Sequence, residues 1–107
     1  MSTFHKREEG FEKKFALDEE QKFKAEARRN RLLGLWAAEK LEITGDAAIA
    51  YAKEVVAADF EEAGDGDVLR KVMADFAAKN VAVTEQAIRA KMNQLIAVAA
   101  AQVKAGI

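Results

Sequence analysis

Proline is absent from all 107 residues, and few single facts constrain a fold more. A proline inside a helix removes a backbone donor and clashes with the preceding turn, at a cost of about 3 kcal/mol or more. Without it helices can run long, and their ends fall to glycine, asparagine and capping side chains. About 50% of the residues are apolar but only 7% are aromatic, and alanine is used heavily. That mixture suits closely packed helices better than a sheet. The length is right for one domain and too short for two.

From Leu17 to Leu41 nothing except Gly34 opposes a helix. Asp18-Glu19-Glu20 at its start and Arg28, Arg29 and Arg31 further on suit a helix dipole. Leu32, Leu35 and Trp36 supply a core-facing stripe in the second half only. The first half, Asp18 to Arg31, offers little besides charge and is expected to project or to be half-covered. Gly45-Asp46 punctuates the chain, with Thr44 or Asp46 as N-cap of a second helix. Its apolar stripe is read as Ile49, Ala52, Val56 and Phe60, running through Ala63 to Gly64 at the C′ position. Leu69, Val72, Met73 and Phe76 mark a third stripe ending near Asn80. Thr84 caps a fourth helix, whose buried face is Ile88, Met92, Leu95, Ile96, Ala99 and Val103. An all-α four-helix bundle over 18–107 is the economical solution.

The chemistry available is narrow. A net charge of −1 lacks the basic excess of a nucleic-acid binder. No cysteine is present and His5 is the only histidine, so no thiol chemistry and no clustered metal ligands are expected. Asp65-Gly66-Asp67 lacks the remaining positions of a calcium loop and reads as turn and cap chemistry. No phosphate-cradling glycine motif occurs, and no histidine in the body could activate a hydroxyl. The expectation is a non-enzyme without cofactors or metal. No segment is long and uncharged enough to span a bilayer, and no secretory h-region begins the chain, so a cytoplasmic protein is expected. Arg28-Arg29-Asn30-Arg31 beside Trp36 could serve a phosphate or a base, but Glu26, Glu39 and i,i+4 geometry offer a solvated, internally paired face.

Residues 1–17 read differently, as a mobile N-terminal arm. Phe4, Phe11 and Phe15 are spaced i, i+7, i+11 and fall on one narrow stripe of a helix, with Lys6, Arg7, Glu8, Glu9, Lys13 and Lys14 around it. Gly10 would cost that helix about 1 kcal/mol relative to alanine, and isolated helices of this length are marginal in water. The arm is therefore a poor helix alone and a plausible one against a partner. The alternative is that its rings pack back on the body.

Several of these stretches are together distinctive: Phe4 with Arg7-Glu8, Phe11-Glu12, Lys14-Phe15-Ala16, Phe23 through Asn30, Leu32 through Ala38, and Tyr51 through Val56. They resemble the zeta subunit of the alphaproteobacterial rotary (F-type) ATP synthase, and the likeness continues through Asp59-Phe60-Glu61-Glu62, Gly64-Asp65, Asp67-Val68 and Ile88-Arg89. The resemblance implies a four-helix bundle whose arm inhibits ATP hydrolysis by entering, as a helix, between an alpha and a beta subunit toward gamma. It makes Phe4, Arg7, Glu8, Phe11, Glu12, Lys14 and Phe15 the partner-binding residues, with Phe23, Arg28, Arg29 and Arg31 as secondary contacts to a partner or a nucleotide. The chain would then be a monomer when free, held at the cytoplasmic face of the inner membrane through the synthase. His5-Lys6 departs from the acidic residues expected there and makes the tip more basic. The competing readings are a helical adaptor with another partner and a bundle that weakly binds adenine nucleotides.

Overall fold

A computed structural model describes residues 17–59 and 66–107. The expectations for Phe4, Arg7, Glu8, Phe11, Glu12, Lys14 and Phe15, and for Phe60 to Asp65, lie outside the described residues. Within them are four helices and no strand: α1, Glu19–Lys40; α2, Gly45–Ala58; α3, Gly66–Ala78; and α4, Glu85–Ala105.

The helix ends follow from local chemistry. Asp18 has extended backbone, its carboxylate accepts the Gln21 N–H at 2.8 Å, and the Gln21 side chain accepts the Asp18 N–H at 3.3 Å. This reciprocal capping box satisfies two donors that a helix start leaves open, and it starts α1 after Leu17 rather than at it. Thr84 caps α4 by accepting the Ala87 N–H at 3.0 Å. Thr44 stands at the N-cap of α2 without a side-chain hydrogen bond, so that helix begins on the left-handed Gly45 instead.

At the C-termini one device recurs. Ile43 donates to the Ala38 carbonyl at 2.8 Å, Val81 to that of Phe76 at 2.8 Å, and Ile107 to that of Gln102 at 3.0 Å. The residue before each donor, Glu42, Asn80 and Gly106, has positive φ. These are Schellman closures. Ile43 and Val81 then fold their side chains onto the core, which offsets the unfavourable left-handed backbone at Glu42 and Asn80. The first inter-helix turn is thus made at Glu42 as well as at Gly45.

Helix α1 is the centre of the bundle, packed along one flank by α2 and along the other by α4, while α3 closes the far end with lighter contacts. The main core gathers Leu33, Ala37, Tyr51, Val55, Val68, Val72, Phe76 and Ile88. A second, smaller cluster joins Leu17 and Ala25 to Ala99 and Ala100, with Leu32, Ile96 and Val103 beside it.

The first half of α1 is half-covered, one of the two outcomes expected of it: Ala25 is buried against Ala99 and Ala100 of α4, Arg29 and Asn30 are buried as well, and Phe23, Lys24 and Arg31 stay exposed. One sequence expectation needs correction. The fully buried face of α2 is Tyr51, Ala52, Val55 and Ala58, with Val56 half-covered and Ile49 49% exposed. That face is turned about one residue, or roughly 100°, from the expected stripe. Alanine on nearly every side of α2 made its orientation ambiguous. Contacts decide it, since a Cβ placed on Gly34 would lie 2.6 Å from the Ala52 Cα. The two backbones meet there, and only glycine admits the approach.

Candidate partner-binding surface

The secondary contact residues assigned from sequence occupy different flanks of α1. Phe23 is 59% exposed. Arg31 is exposed, and Arg28 is half-buried, its Nη1 donating to Gln102 Oε1 on α4 at 3.4 Å. Arg29 is only 4% exposed, and its Nε donates to Asn30 Oδ1 at 2.8 Å. The expected solvated arginine face is therefore split into one buried, one bridging and one exposed cation. The signal was available, because a helix turns 100° per residue and consecutive arginines cannot share a face.

Asn30, read from sequence as part of the same solvated face, lies inside. It is fully buried, its Oδ1 is engaged by Arg29, and its Nδ2 has no hydrogen-bond partner. Buried amide donors are ordinarily satisfied. Together with Phe23, Glu26 and Ala27 of α1 and Val56 and Asp59 of α2, Asn30 lines a small groove, with room for about one water molecule, that opens to solvent.

Trp36 sits elsewhere, at the other end of α1. Its ring meets Phe76 edge-on at 5.9 Å between centroids, and the ammonium groups of Lys40 and Lys91 lie 5.3 and 5.7 Å from its centre. It is a half-buried core ring with cations over it, and Arg28 and Arg31 do not join it.

A polar cluster not foreseen from sequence ties α2 to α3. The Tyr51 hydroxyl donates to Asp75 Oδ2 at 2.7 Å, and Lys71 bridges Asp75 at 3.1 Å and Glu54 at 3.6 Å while lying over the Tyr51 ring. Burial, then the bond to Asp75, hold the Tyr51 hydroxyl above its ordinary titration range. It is thus a fixed donor at any physiological pH. Among the described residues no three His, Cys, Asp or Glu side chains are grouped to hold a metal, and no helix is long and apolar enough to cross a membrane.

The fold is that of an all-helical bundle whose first helix carries an exposed ring at Phe23 and an exposed cation at Arg31. The chain belongs to the ATPase inhibitor subunit zeta family, whose sequence model matches residues 1–102. A structure determined by solution NMR is similar at a TM-score of 0.70 and 56% identity, covering 79% of this chain and 96% of its own. Comparison with curated proteins gives no match.

Proposed function

We propose that this chain restrains ATP hydrolysis by the F-type ATP synthase, with residues 1–17 entering an alpha/beta catalytic interface near gamma and the bundle holding them there. The observation that carries this reading is the family match, which spans arm and bundle alike at residues 1–102.

Physical chemistry supplies a division of labour. A twenty-residue helix is about 30 Å long, enough to reach deep into a subunit interface. Burying Phe4, Phe11 and Phe15 contributes roughly 5–9 kcal/mol at about 1.5–3 kcal/mol for each ring. Ordering the arm costs more than those rings return, at about 1–2 kcal/mol per residue for the backbone. Net binding then depends on the charges of Arg7, Glu8, Glu12 and Lys14, and on an interface open enough to admit the helix. Such an inhibitor leaves readily when rotation in the synthesis direction reshapes its site. Acting on the synthase places the chain at the cytoplasmic face of the inner membrane.

The test is deletion of residues 1–16, followed by ATP hydrolysis by the cognate catalytic head. The shortened chain is expected to keep its helical circular dichroism and to lose inhibition. Full inhibition by the folded, shortened chain would overturn the role of the arm.

A further inference from the structure

Asn30 carries a hydrogen-bond donor that no described residue accepts. Its oxygen accepts from Arg29 Nε at 2.8 Å, while its fully buried Nδ2 has no partner. Turning the amide over would set two donors against each other, so the arginine fixes which end is left over. A buried donor without an acceptor forfeits its hydration for nothing, and such groups are ordinarily paired with protein or with ordered water.

The cavity that Asn30 lines limits the size of what can pair with it. Its volume is about 20 Å³, above the roughly 10–15 Å³ that one water needs and too little for a side chain. Phe23, Ala27 and Val56 make the walls apolar, and Glu26 and Asp59 bring carboxylates. Both carboxylates are half-buried and already have partners, yet a carboxylate offers about four lone-pair positions and accepts more than one hydrogen bond. The lining thus presents one donor and two acceptors. Water is the complement of that set, since it accepts at its oxygen and donates twice, and a buried water typically makes about three hydrogen bonds. A metal cation does not match, because the one group left unpaired is a donor.

We propose that one water molecule is held in this cavity, accepting from Asn30 Nδ2 and donating to the carboxylates of Glu26 and Asp59. It joins the middle of α1 to the C-cap of α2, where Asp59 stands. The seam between the two helices then has two kinds of closure. At Gly34 the backbones meet directly, against Ala52; one turn earlier, at Asn30, water fills the gap that two polar side chains leave. A bridging water is nearly as favourable as a direct hydrogen bond, and the opening to solvent lets it exchange without unfolding of the bundle. This site is independent of the inhibitory role proposed above.

The test is the magnetisation transfer from water to the isotope-labelled, full-length chain in NMR. The methyl groups of Ala27 and Val56 and the Asn30 side-chain amide should give cross-peaks at the water frequency, of opposite sign in the laboratory and rotating frames, the mark of a water bound for longer than the chain takes to tumble. No hydroxyl group lines the cavity to imitate them. The methyl of Ala50, exposed on α2, should give none. Asn30→Leu, which keeps the size of the side chain and removes the donor, should abolish the cross-peaks at Ala27 and Val56. Ala27 and Val56 methyls that behave like Ala50 would overturn the proposal, and that comparison needs no variant to fold. So would cross-peaks that survive in Asn30→Leu, or a crystal structure with a protein oxygen, in place of water, within hydrogen-bond reach of Asn30 Nδ2.

Discussion

The two ends of α1 are buried by different means. Around Leu33 and Ala37 the helix is held by large side chains from every neighbour, with Phe76, Val55, Val68, Val72 and Ile88 all essentially inaccessible. Around Ala25 it is held mainly by Ala99 and Ala100, with Leu17 folded over the edge. Apolar burial contributes about 25 cal/mol per Å², and alanine has little area to give. The end next to the arm is therefore closely packed yet weakly held, while the far end anchors the fold. That gradient suits a body that must stay folded while the chain ahead of it changes partners.

The largest effect should come from the anchored end. Phe76→Ala removes a ring that is 1% exposed and meets Trp36 edge-on, and is expected to cost about 3–5 kcal/mol by thermal or urea unfolding. Leu17→Ala is expected to cost about 2 kcal/mol, the bottom of the range for a buried leucine. Its signature should be faster amide exchange confined to the first turns of α1. A Leu17 variant that destabilises the whole bundle more than Phe76→Ala would erase the contrast between the two ends.

Gly34→Ala probes the join between them. The new Cβ meets the Ala52 backbone, and overpacking of about 1–3 kcal/mol is offset by about 1 kcal/mol of improved helix propensity. A net loss of stability is expected. A gain in melting temperature would show that α2 can move aside and that the close approach is not a fixed part of the core.

The smallest effect is pH-dependent. The Tyr51 hydroxyl titrates higher folded than unfolded, where its ordinary value is 10.0. The unfolded chain therefore loses that proton first, and the contribution of the protonated hydroxyl is present below about pH 10 and declines as the pH rises further. Tyr51→Phe should cost about 1 kcal/mol at neutral pH and flatten the decline in stability above pH 10. An unchanged alkaline slope in the variant would assign that decline to other groups.

How much of this was legible beforehand varies by element. The start of α4 was readable at Thr84, and the third stripe, Leu69, Val72 and Phe76, is buried as its spacing indicates. Those segments have large apolar residues on one face and charge on the other, so periodicity identifies the inner side. Helix α2 was misread where alanine carries the packing, and the same ambiguity left open whether the first half of α1 projects or is half-covered. A small residue is compatible with a buried, an interfacial or an exposed position, and its pattern does not choose among them. The candidate surface was legible at Phe23, an apolar ring among charges, but not at Asn30.

The amino-acid order by itself determined the all-helical class, the Thr84 cap and the resemblance that the family match bears out. Those properties rest on local backbone preferences and on residue identity. Only the tertiary structure decided which flank of α1 is covered, why residue 34 is glycine, and that Arg29 and Asn30 lie inside while Phe23 lies out. Each depends on how near two helices come, a distance set by pairs of residues far apart in the chain.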